Sequence, residues 1–258
     1  MPRIGTCQST LRTASGLPLM AMALVLTGCA SSGSQTSQAT DPVDPWEGFN
    51  RKVFVFNDVL DRYALKPVAT GYRTVTPDPL QQGVGNFFSN LGEIRTTLNS
   101  LLQGKPANAG RSTSRFLVNS TMGLGGLFDI ASLMPVEADE EDFGQTLATW
   151  GWQDSRYLVL PLLGPSTLRD TSGLPADMST YPVTYVEDDA VRAGLTALNI
   201  VDTRAGLLDQ EELIQGDRYR FIRDAYLQRR QFQISDGELG DDPFSADEFE
   251  FDDTDFAD

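Results

Sequence analysis

Between residues 79 and 102 the apolar side chains keep one helical rhythm without a break. Leu80, Val84, Phe87, Leu91, Ile94, Leu98 and Leu101 follow one another at alternating steps of four and three. That spacing puts all seven on one stripe of a helix with 3.6 residues per turn. Thr76 or Asp78 is suited to cap its start, and Gly104 with Pro106 closes its end.

The neighbouring segments carry the same signal. Phe49, Val53, Phe56 and Leu60 step by four, three and four, and Pro67 and Gly71 punctuate the stretch after them. A third helical stretch starts near Ala107 and runs into residues 116–134, FLVNSTMGLGGLFDIASLM. Short helices fit Phe143 to Trp150 and Leu168 to Thr171, and longer ones fit Asp188 to Leu208 and Gly216 to Phe232. Only Tyr157 to Leu163 (YLVLPLL) resembles a strand, and Pro161 spoils it. The pattern predicts an all-α body, over residues 44–234, with Gly- and Pro-rich connections.

The two ends read differently. Arg3 and Arg12 precede an uncharged run, Leu17 to Leu26, that is too short to span a bilayer and is followed by small residues. Residues 1–28 therefore read as a secretory signal peptide. Leu26-Thr27-Gly28-Cys29 resembles a bacterial lipobox, in which cleavage leaves the cysteine as the lipidated first residue. Residues 29–43 then form a flexible polar tether. Cys7 departs with the signal, so the mature chain has no pair of cysteines for a disulfide. At the other end, Asp236 to Asp258 holds 11 acidic residues, no basic one, and Phe244, Phe249, Phe251 and Phe256. That composition predicts a disordered acidic tail over 235–258, or a docking strip for a basic partner.

Composition excludes several functions. The chain has 36 acidic against 20 basic residues and no histidine. Nucleic acid is ruled out as a partner, and so are Ser-His and Cys-His nucleophile pairs and a Cys/His zinc site. Gly83-Val84-Gly85 and Gly123-Leu124-Gly125 fail the spacing of a dinucleotide fingerprint. Glu137, Asp139, Glu140, Glu141 and Asp142 form a charged loop that reads as a solvated face. No cofactor or metal is expected.

Two stretches invite a functional reading. Residues 116–134 are mostly apolar yet contain Asn119, Ser120, Thr121, Gly123, Gly125, Gly126 and Asp129. A central aspartate costs ~2.5–3.5 kcal/mol at mid-bilayer on insertion scales, which argues against a full span. The segment is either a core helix broken by glycines or an apolar hairpin that enters one leaflet or lines a greasy passage. The second stretch is a helix carrying Arg218, Arg220, Arg223, Arg229 and Arg230. The first three are candidates for a lipid headgroup, because guanidinium suits phosphate; pairing with nearby carboxylates is the alternative.

Together these residues resemble the MlaA (VacJ) lipoproteins. The resemblance opens at Asp44-Pro45-Trp46-Glu47-Gly48-Phe49-Asn50-Arg51, with Phe56-Asn57, Asp61-Arg62-Tyr63 and Pro67. It continues through Asn86-Phe87, Asn90-Leu91, Arg115-Phe116, Asn119-Ser120 and Gly123-Leu124-Gly125-Gly126-Leu127-Phe128-Asp129. Phe143-Gly144-Gln145-Thr146-Leu147, Leu160-Pro161, Ser166-Thr167-Leu168-Arg169-Asp170 and Tyr226-Leu227-Gln228-Arg229-Arg230 complete it. The resemblance implies a ring-like helical domain with a Gly-rich amphipathic hairpin and a central channel, lying in the periplasmic leaflet of the outer membrane. It implies removal of mislocalised phospholipid from the outer leaflet, delivery to a soluble periplasmic carrier, and a trimeric porin as neighbour. The channel-hairpin candidates are then Asn119, Gly123, Leu124, Gly125, Gly126, Leu127, Phe128 and Asp129. The expected function is non-enzymatic lipid transfer. The alternatives are an envelope scaffold that binds a porin or peptidoglycan, and a histidine-free carboxylate hydrolase.

Overall fold

The computed structural model describes residues 41–214 and 216–237. The signal peptide, Cys29, most of the tether and the acidic tail from residue 238 onward lie outside the described residues.

Helix α1 (Glu47–Leu60) runs into α2 (Lys66–Val75) through one π turn, Asp61–Leu65. Pro67 and Gly71, expected as breaks, do not interrupt this helical run. The π turn, in which the Lys66 amide donates to the Asp61 carbonyl five residues back, sits just where Pro67 has no N–H to offer. Helix α3 (Asp78–Leu102) matches the long stripe, but its N-cap position is Pro77, with no side-chain cap. Asp78 instead occupies the first turn, where its charge faces the positive end of the helix dipole. Gly104 ends α3 in the left-handed region at φ 75°, and α4 (Pro106–Thr121) begins two residues later.

Helix α5 (Phe143–Thr149) is capped by Asp142, whose Oδ1 accepts from the Gln145 amide at 2.9 Å. A β-hairpin comes next: β1 (Tyr157–Leu160) pairs antiparallel with β2 (Gly164–Thr167), Tyr157 opposite Thr167 and Leu160 opposite Gly164. Pro161 lies in the connection, where its missing donor removes no ladder bond, so the strand survives it. Helix α6 (Leu168–Thr180) extends well past Thr171, with Pro175 tolerated inside it. Its Gly173 packs against the backbone of Phe143 and Gly144, so α5 and α6 lie in close contact. Helices α7 (Asp189–Gly206) and α8 (Arg218–Ile234) complete the body, each started by an aspartate cap. The body is helical apart from this one hairpin among the described residues.

Helix α1 is fastened to β1 by two asparagines seven residues apart. Asn50 donates to the Tyr157 carbonyl (3.2 Å) and accepts from the Val159 amide (3.0 Å). Asn57 repeats the motif with the Leu160 carbonyl (2.9 Å) and the Leu162 amide (2.8 Å). A period of seven returns both amides to one helix face, so each plays the part of an adjacent strand. Asn50 is fully buried and also donates to Asp44 at 2.8 Å. Asn50→Ala should therefore cost about 2–3 kcal/mol, because it strands a buried carbonyl and a buried amide. The more solvated Asn57→Ala should cost less, and denaturant midpoints of the two variants compare them.

The interior is the reverse of an ordinary core. Among the described residues the buried set includes Asn90, Glu93, Thr96, Asn99 and Ser100 of α3. Its apolar stripe is not buried: Val84, Phe87, Leu91 and Ile94 are half-buried, and Leu80 is 62 % exposed, Leu98 41 % and Leu101 56 %. The conventional apolar cluster is small, Tyr157, Val159 and Tyr219 with Val53, Phe54, Tyr226 and Leu227 around it.

Candidate functional site: a cavity with two kinds of wall

Helices α3, α4, α6 and α7, with the loop 129–140, ring a cavity of about 1180 Å³. One part of its wall is apolar, made by Phe88, Leu174, Met178, Val183, Leu195 and Ile200. The other is polar, from Asn90, Glu93, Arg95, Arg115, Asn119 and Asp129. The polar residues of α3 recur at helical spacing (86, 90, 93), which is why one side of that helix presents them together. A second, smaller cavity of about 330 Å³ is lined by Leu98, Leu101, Leu102, Phe143 and Ala176.

A buried ion cluster organises the polar wall. The Arg115 Nε donates to Glu93 at 2.8 Å, and its Nη2 donates to both Asp129 oxygens at 3.0 and 3.2 Å. Asn119 Nδ2 also donates to Asp129 (2.9 Å), and its Oδ1 accepts from the Ala131 amide (2.9 Å). Burial pushes the Glu93 carboxyl up, and the Arg115 guanidinium offsets this only in part. At Asp129 the balance is reversed: burial would raise it, but Ser132, Asn119 and Arg115 hold it below the usual carboxylate range.

The segment 116–134 is thus a hairpin, but not a broken core helix. Helix α4 ends at Thr121, the chain turns, and residues 128–136 return along α4, where the Val136 carbonyl accepts from Arg115. Leu124, Gly125 and Gly126 all have positive φ, at 52°, 75° and 92°. Leu124, Leu127 and Phe128 face outward, with Leu124 68 % exposed, while Asn119 and Asp129 line the cavity. The two glycines are not equivalent. A Cβ on Gly126 would lie 2.7 Å from Asn90 Nδ2, whereas one on Gly125 meets nothing within 4 Å. Gly125→Ala should cost about 1 kcal/mol from the left-handed backbone alone, and Gly126→Ala more than about 2 kcal/mol, since Asn90 must also move. Equal losses in thermal unfolding would contradict that difference.

The remaining candidates lie elsewhere. Arg51 bridges Glu47 (2.7 Å) and Asp217 (2.8 Å) and stacks 4.3 Å from the Tyr219 ring centroid. Phe49 and Phe56 are each more than half exposed on α1. Arg218, Arg220 and Arg223 do not line the cavity. Arg218 sits 3.6 Å from Asp58 and Arg220 3.6 Å from Asp217, while Arg223 meets Asp224 at 2.8 Å and Asp41 at 3.1 Å. The charged loop is not a solvated face throughout. Glu141 is buried against Lys105 and Gln103, and Asp142 is held by Arg230. The sequence reading missed Arg95, Arg192, Asp177 and the cavity side of α7, for α7 carries no motif. The Asn86–Asn90–Glu93 spacing beside the apolar stripe is the signal that could have pointed to the polar side of α3.

A helical body that exposes apolar stripes, buries its polar groups and encloses a two-walled cavity is built for an apolar boundary rather than for bulk water. Residues 42–233 match the family model for the MlaA lipoproteins. The chain belongs to that family. It is 38 % identical to the Shigella flexneri and Escherichia coli intermembrane phospholipid transport system lipoproteins MlaA, over 86 % of this chain and 91 % of each relative. The Haemophilus influenzae protein of the same name is 34 % identical, over 89 % of this chain and 94 % of its own length. A solved structure concerned with the maintenance of bacterial outer membrane lipid asymmetry superposes with a TM-score of 0.65 at 38 % identity, covering 74 % of this chain and 98 % of the other. These relatives are transport lipoproteins, and the protein is not an enzyme.

Proposed function

We propose that the protein takes mislocalised phospholipid from the outer leaflet of the outer membrane through the large cavity and passes it to a soluble periplasmic carrier. It sits at the periplasmic face beside a trimeric porin, tethered by lipid on Cys29. The observation that carries this reading is the cavity itself, since a phospholipid needs an apolar wall for its chains and a polar one for its headgroup. Among the described residues no helix is long and apolar enough to cross a membrane. Many apolar side chains nevertheless face outward, among them Leu124 and Leu162, each held at positive φ at a loop tip. Backbone strain accepted at an exposed leucine is intelligible where that leucine enters lipid.

In this reading Gly123, Gly125 and Gly126 let the hairpin flex at the cavity mouth, and Arg218, Arg220 and Arg223 act at the surface, outside the passage. The test is lipid mass spectrometry on the full-length protein purified gently. Roughly equimolar phospholipid is expected, and protein free of phospholipid would overturn the proposal.

A further inference from the structure

The carboxylates on the wall of the large cavity each have a partner. Glu93 and Asp129 hold Arg115, Asp139 holds Arg111, Glu140 holds Arg229 and Asp189 holds Arg192. Asp202 accepts from the Tyr72 hydroxyl at 2.8 Å, and Asp177 accepts from the Phe143 amide at 3.0 Å and from Asn99 at 3.3 Å. Of the three guanidiniums lining this cavity, Arg115 and Arg192 are therefore taken. Arg95 is not. Among the described residues no carboxylate lies within ion-pair distance of it, and its Nε is buried without a partner. Its charge reaches Asp177 and Tyr181 only through space.

Arg95 is only half-buried, but its Nε is cut off from water and has no acceptor, which is costly, so the position calls for one. Its planar fork fits two oxygens of a phosphate. Arg95 also stands where the two cavities approach each other. Leu98 and Leu102 follow it at steps of three and seven along α3, on the same side of the helix, and line the smaller apolar cavity. Asp177 lines both cavities. Asp177 and Asp202 on the same wall are met only by neutral donors, so their charges match an amine and repel a second negative charge.

We infer that Arg95 anchors the phosphate of a phospholipid headgroup, and that the cavity selects a zwitterionic headgroup, a phosphodiester carrying an amine, over one with net negative charge. This rests on the transport reading. The anchor predicts that the acyl chains lie toward Leu98 and Leu102.

The experiment quantifies phospholipid, class by class, on gently purified full-length protein and on Arg95→Gln, Arg95→Lys and Arg111→Gln. Arg111→Gln removes the same charge from a neighbouring ion pair and serves as the control. The wild type should be enriched in amine-bearing zwitterionic lipid relative to the membrane extract. Arg95→Gln should lose about tenfold in bound lipid, the factor supplied by one charge-assisted contact, with Arg95→Lys between it and the wild type. Glycerophosphoethanolamine should displace lipid at concentrations where inorganic phosphate does not, which separates a headgroup site from a free-phosphate site. Should Arg95→Gln fail to fold, Arg95→Lys carries the comparison. An unchanged load and class ratio in the Arg95 variants, with lipid present on the wild type, overturns the inference alone. Equal displacement by inorganic phosphate does the same. Lipid missing from the wild type overturns the transport reading and this inference together.

Discussion

Arg230→Ala should destabilise the protein by about 3–5 kcal/mol, the scale for removing one partner of a buried ion pair. Arg230 is 7 % exposed and joins three parts of the chain. It donates to Asp142 at 2.5 and 3.0 Å and to Asp170 of α6 at 2.6 Å, and Asp170 also accepts from Tyr226 at 2.7 Å. Without Arg230, two carboxylates face each other in a space with little water. The same contact sets a pH dependence. Burial would raise Asp142, but Arg230 and Gln145 outweigh it and hold the carboxyl below its ordinary 3.8. A depressed acid stabilises the fold above its unfolded value and loses that contribution as pH falls through the folded value. Wild-type stability should thus decline below about pH 4, and Arg230→Ala should lack that part of the decline. Denaturant midpoints between pH 3 and 7 measure both effects; a loss under about 1 kcal/mol for Arg230→Ala would show the cluster to be solvated.

Arg115→Ala is expected to be comparably severe, at about 3–5 kcal/mol, and it should be partly rescued by Glu93→Gln. Glu93 is buried and already raised above its ordinary 4.5, so removing its one guanidinium leaves an uncompensated charge. The sign is opposite to that of Asp142. A raised acid contributes most below its unfolded value, and stability falls as pH rises through the folded value. Glu93→Gln alone should therefore be mild and should flatten that upper slope. The double variant should be less damaged than the sum of the two singles. Strict additivity in thermal unfolding would mean that the two side chains are not coupled in the way their 2.8 Å contact indicates.

The elements of this fold were easier to read than its inside. Steps of four and three located α1 and α3 because helical periodicity depends only on which residues share a face. The same steps are silent about what that face meets. On α3 the apolar stripe is left half-buried or exposed while Asn90, Glu93, Thr96 and Ser100 are buried, an arrangement that arises when polar groups line a cavity and partner one another. Proline misled in two places, at Pro67 and Pro161, where the missing N–H fell at a π turn and in a hairpin connection. The charged loop 137–142 looked solvated because Lys105 and Arg230, which bury Glu141 and Asp142, lie far away in sequence. Within the hairpin, Asn119 and Asp129 were legible as polar exceptions in an apolar run. Arg95 was not, because nothing near it in sequence shows that it lacks a carboxylate partner.

The central claim is that phospholipid moves through the space between α3 and α7, and blocking that space tests it most directly. Ser89 and Ala197 line it from opposite helices, whereas Ser172 is an exposed residue of α6 outside both cavities. Single cysteines at each position, labelled with a bulky maleimide on the reconstituted lipoprotein, should leave the melting temperature within about 2–4 °C of the unlabelled protein. Labelling at position 89 or 197 is predicted to stop protein-dependent transfer of phospholipid out of the membrane, and labelling at 172 to leave it intact. Undiminished transfer with position 89 or 197 fully labelled would contradict the account.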